Sequence, residues 1–133
     1  MAITALTLAR THKRFTLTCF VEGQEMQIIS LQATAAKEPT LTEPMSWARE
    51  RKRDLDLFVI MTPELVNWKF LEVGKSLQNY RDTIKKPDAR LAINALCHMS
   101  LHIGSPRCPG IFDMAGFGPH TIQIMNCIAA GKF

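Results

Sequence analysis

Four cations, Arg49, Arg51, Lys52 and Arg53, fall within five residues, and Trp47 stands two positions before the first of them. Guanidinium and ammonium groups neutralise phosphate. An amphipathic aromatic beside them can stack on a single-stranded base or anchor in lipid headgroups. The plain alternative for any charge run is a solvated face. Lys85, Lys86 and Arg90 form a second cluster around Pro87 and Asp88, at the start of an expected helix. Cations at a helix start oppose the macrodipole, so an external anion would account for them. Trp47, Arg49, Arg51, Lys52, Arg53, Lys85, Lys86 and Arg90 are therefore the candidate site for a polyanion, either RNA or an acidic lipid face.

Other chemistries find less in the chain. His98 and His102 are four apart and would share a helix face, with Cys97 and Cys108 nearby. Zinc needs three or four convergent ligands, and this spacing matches no standard zinc pattern, so no metal is expected. Cys19, Cys97, Cys108 and Cys127 form no CxxC pair and read as free thiols of a cytosolic or nuclear protein. No Gly-flanked elbow marks a nucleophile, and no catalytic residue is assigned. Gly116-Phe117-Gly118 lacks both a third glycine and a following helix, because Pro119 comes next, so no dinucleotide or other cofactor is expected.

The elements that must carry these residues were read from periodicity. Phe15, Leu17, Cys19 and Val21 alternate with polar positions, Glu22-Gly23 can turn the chain, and Met26, Ile28 and Leu31 return it, giving a β-hairpin over 14–32. Pro39 and Pro44 mark 33–46 as loop. Leu55–Met61 reads as a buried strand. Residues 62–84 are open to two readings. As a helix, Val66, Phe70, Val73, Leu77, Tyr80 and Ile84 share one face; as a strand, Val66, Trp68 and Phe70 alternate with polar neighbours. Gly74 favours a strand to about Val73 and a helix from about Ser76 to Ile84. A second helix is expected from Pro87 to near Gly104, an irregular connection over 104–119, and a closing strand over Thr121–Ala130.

Size and charge bound the partners. The chain has 133 residues, 47% of them hydrophobic and 21% charged, as one folded domain over 1–133 would have. The 16 Lys and Arg exceed the 12 Asp and Glu by four, which permits a polyanionic partner without demanding one. No apolar run approaches the roughly 20 residues of a spanning helix. No secretory leader, N-myristoylation site or prenylation box is read.

Several short pieces, in order along residues 15–104, resemble the matrix proteins of bornaviruses. They include Phe20-Val21-Glu22-Gly23, Lys37-Glu38-Pro39, Arg49-Glu50-Arg51-Lys52 leading to Phe58-Val59-Ile60, Leu65-Val66-Asn67, and Ala92-Ile93-Asn94-Ala95. The resemblance implies an α+β class: a single compact domain with an antiparallel β-sandwich flanked by two or three helices. It also implies a homo-oligomer, by family a tetramer, that binds an anionic phospholipid membrane, single-stranded RNA and other viral proteins. The protein would then line the inner face of a virion envelope and occupy host cytoplasm and peripheral membrane. The main expectation is thus a viral matrix-like assembly protein, not an enzyme. The alternatives are a small RNA-binding or regulatory module without membrane activity, or a small enzyme or metalloprotein.

Overall fold

The computed structural model describes residues 2–16, 19–21, 24–26, 41–62, 70–95 and 109–132. Element order is α1 (Ala2–Thr11), β1 (Cys19–Val21), β2 (Gln24–Met26), α2 (Glu43–Glu50), β3 (Leu57–Thr62), α3 (Phe70–Ile84), β4 (Arg90–Ala95), β5 (Ile111–Ala115) and α4 (Pro119–Ala130). β1 and β2 pair antiparallel, with Cys19 opposite Met26, which agrees with the expected hairpin as far as it is described. The larger sheet has the order β3-β4-β5 and is parallel throughout.

That sheet overturns the antiparallel β-sandwich. Parallel neighbours need crossovers rather than hairpins, and α3 lies in the crossover from β3 to β4. The class is α/β, with helices on both faces of a parallel sheet. β4 is the central strand and is covered on both sides. Leu91, Ile93 and Ala95 enter a cluster with Phe58 of β3, Val73, Leu77 and Tyr80 of α3, and Met45 and Ala48 of α2. Ala92 and Asn94, of opposite parity, face the other side. There α4 packs on β4 and α1 packs on α4, burying Met125, Ile128, Ala5 and Leu8.

This double coverage explains the chief misreading. Leu91 to Ala95 are all fully buried, so the run shows no strand alternation, and the helix expected from Pro87 to near Gly104 is instead strand β4 over Arg90–Ala95. The closing strand expected over Thr121–Ala130 is instead α4. Its buried residues Thr121, Met125 and Ile128 are spaced four and three, and Pro119 occupies the first turn. Pro44 likewise sits in the first turn of α2, not in a loop. Within the expected irregular connection, 111–115 is strand β5. For 62–84 the helical reading holds from Phe70 onward, and α3 runs through Gly74 because Val73 and Leu77 are buried on either side of it. Residues 63–69 and 96–108, including His98, His102, Cys97 and Cys108, lie outside the described residues.

Candidate nucleic-acid interface

In a parallel α/β sheet the helices run back against the strands, so their C-termini gather at the amino edge of the sheet. Both cationic clusters lie on that edge. α2 ends just before the loop 51–56 that enters β3, and α3 ends just before the turn 85–89 that enters β4. α4 returns to the same place, where Arg90 Nη1 donates to the carbonyl of Ile128 at 2.9 Å.

The helix ends repeat one geometry. In α2 the N–H of Arg53 donates to the carbonyl of Ala48, in α3 Lys86 to Arg81, and in α4 Lys132 to Cys127. Each bond spans five residues and encloses one residue in the left-handed region: Lys52 at φ 51°, Lys85 at φ 61° and Gly131 at φ 69°. This is the Schellman ending, which satisfies carbonyls the helix leaves open.

Contacts between the two turns join the clusters. The ammonium of Lys86 bonds Asp54 and lies 2.7 Å from Asp56. These contacts, the Asp54 bond first, raise the pKa of Lys86 above that of an ordinary lysine, and the Lys86 bond lowers that of Asp56. Arg14, beyond α1, reaches Asp56 at 3.7 Å and so joins the same edge. No spacing rule in the sequence connects Arg14 to position 56.

The structure sorts the eight candidate residues by what already occupies them. Trp47 is half-buried against the core cluster, and its ring receives the guanidinium of Arg51 at 5.5 Å and that of Arg53 at 6.0 Å. Its aromatic face thus carries this chain's own arginines. Arg49 is half-buried in the last turn of α2. Arg90 ties β4 to the end of α4, and Lys86 holds the two aspartates. Arg51, Lys52, Arg53 and Lys85 are exposed. The expected helix at Pro87 is a turn followed by β4, so the dipole argument for Lys85, Lys86 and Arg90 reverses. They lie after a helix C-terminus, where cations are favoured. Helix-end electrostatics alone therefore explains part of the cluster.

One other region is a weaker candidate. A groove between β5 and α4 is lined by Phe112, Met114, Ile124 and Cys127, with Asp113 and Gln123 as its polar members. It lacks convergent charge. Among the described residues no group of three His, Cys, Asp or Glu side chains is placed to hold a metal, and Cys127 is an exposed free thiol. No described helix is long and apolar enough to cross a membrane.

Comparison with known proteins decides the family. The model of the Ro60 vWA domain matches residues 1–129. The chain belongs to the Ro60 vWA domain family. It is similar to the "RNA-binding protein RO60" of Caenorhabditis elegans, 27% identical over 89 residues, which are 67% of this chain and 14% of that protein. The solved RO (RSR) protein of Deinococcus radiodurans shares the fold, with a TM-score of 0.66 at 20% identity, over 77% of this chain and 20% of that one. The chain thus spans a small part of the length of either relative.

Ro60 vWA membership overturns the resemblance to bornavirus matrix proteins, whose pieces are short and carry it only by their shared order. The relatives come from a nematode and a bacterium. Virion location at the inner face of an envelope, the matrix-like assembly role, the anionic membrane and the viral protein partners fall with that resemblance. The tetramer loses its support, since it too came from the family and not from the residues.

Proposed function

We propose that this Ro60-type vWA domain is an RNA-binding module that holds the RNA backbone on the amino edge of its parallel sheet. It is a binding domain, with no catalytic role assigned to any residue. The observation that carries the reading is the convergence of Arg51, Lys52 and Arg53 with Lys85 on one edge, built by three helix ends and fastened through Lys86, Asp54 and Asp56. The C. elegans relative is described as an RNA-binding protein, which supports RNA as the polyanion.

Phosphate contacts of this kind make affinity strongly salt-dependent, with a log–log slope of about 0.7 for each single-strand phosphate neutralised. Fluorescence anisotropy with a labelled single-stranded RNA across a salt series tests the reading. Replacing Arg51, Lys52 and Arg53 together with Ala should weaken binding and flatten the slope by up to about two units, with the fold retained. An unchanged affinity and slope in the triple variant would remove the amino edge from RNA recognition.

A further inference from the structure

We infer that Lys52 and Lys85 form a two-point clamp on the phosphates of an RNA strand, standing at positions where the backbone favours glycine. The inference rests on the RNA-binding reading above and narrows it to two residues.

Three helix ends of the domain match in backbone geometry. The residue inside a Schellman ending is usually glycine, because a Cβ in the left-handed region crowds the following carbonyl. α4 follows the rule with Gly131, and a Cβ there would also come within 3.1 Å of Arg90 Nη2. α2 and α3 depart from it with Lys52 and Lys85. These are the only two non-glycine residues of positive φ among those described. Backbone strain at two places, each carrying a lysine, points to a use for the side chain.

What those side chains do within the domain is little. Both lysines are exposed, and neither ammonium makes an ion pair or hydrogen bond among the described residues. Their neighbours are engaged. Lys86 holds Asp54 and Asp56, while Arg51 and Arg53 lie over Trp47. Tyr80 and Lys86 tie the two turns together, so Lys52 and Lys85 are carried by turns fastened to each other at the sheet edge. Two cations carried on turns fastened to each other suit neighbouring phosphates of a single strand better than one isolated charge would.

Replacing both lysines with glycine separates backbone from side chain. The double variant Lys52→Gly and Lys85→Gly loses two charges while gaining the residue the backbone prefers. Its thermal midpoint should rise, by about 3 °C per position. Its affinity for single-stranded RNA should fall about tenfold, as two lost charge contacts imply. Its salt slope should drop by about 1.4. The variant Lys52→Asn and Lys85→Asn, which also tolerates the left-handed region, should show the same loss, and Lys52→Arg with Lys85→Arg should restore binding. If both uncharged variants bind like the parent while Arg51→Ala with Arg53→Ala weakens binding, the clamp is wrong and the RNA reading stands. If the parent chain binds no RNA, both fall.

Discussion

The Tyr80 hydroxyl donates to the carbonyl of Arg53 at 2.8 Å and accepts the N–H of Leu55 at 2.8 Å. One fully buried side chain of α3 thus fixes the loop that carries the exposed cations. Its ring is also set edge-on against Phe58 of β3, with centroids 4.8 Å apart, so the loop is referenced directly to the sheet.

Tyr80→Phe keeps the ring packing and removes both hydrogen bonds. Losing them should cost about 1–2 kcal/mol in chemical denaturation, since a carbonyl and an N–H lose their protein partner. RNA affinity should fall as well, because the loop loses its anchor although no cation is removed. Unchanged stability would mean that water replaces the hydroxyl without loss.

The Lys86 contacts give stability a pH dependence of defined sign. Asp56 has a lowered pKa in the fold, chiefly from its bond to Lys86. Its contribution is complete above about pH 4 and is lost as pH falls through the lowered value. Lys86 is raised, first by Asp54 and then by Asp56, so its share is complete below the ordinary lysine value and lost as pH climbs past it. Tyr80 is raised by burial and weakens the fold in the same alkaline direction. Because both aspartates are well exposed, the effect of the Lys86 contacts should stay below about 1 kcal/mol. Lys86→Met should flatten the acid limb, and Tyr80→Phe should reduce the alkaline loss. Denaturation curves between pH 3 and about pH 11 would show either limb unmoved if these contacts do not form.

Gly110 opens β5 at φ 88°, and a Cβ there would come within 2.6 Å of Arg81 Nη2. That guanidinium is buried and donates to Ala89 and Pro109 carbonyls, joining the end of α3 to the starts of β4 and β5. Gly110→Ala should therefore destabilise by roughly 2 kcal/mol or more, from left-handed strain together with displacement of a buried charge. A thermal midpoint equal to the parent's would show that Arg81 can move aside.

How much of this was legible in the sequence follows from where each signal arises. The strand at Leu57 and the helix from Ser76 through Leu77 and Tyr80 could be read, whereas the strand favoured up to Val73 is helix from Phe70, because Gly74 does not break α3. β4 could not, since burial on both sides erases the alternation. Pro44 and Pro119 were read as breakers, although a first turn has no N–H to lose there. The basic run was found by composition alone. Its union with Lys85 and Lys86 depends on parallel strand pairing, and the roles of Tyr80 and Arg14 depend on contacts across 25 and 42 positions of chain, which local pattern does not encode.

The central claim is that RNA lies along the amino edge of the sheet. Photo-crosslinking of a thiouridine-containing single strand to the chain, followed by mass spectrometry of the peptides, tests it most directly. The account predicts attachment within residues 47–56 and 85–90, lost on replacing Arg51, Lys52 and Arg53 with Ala. Attachment confined to the groove between β5 and α4, around Phe112, Ile124 and Cys127, would contradict it.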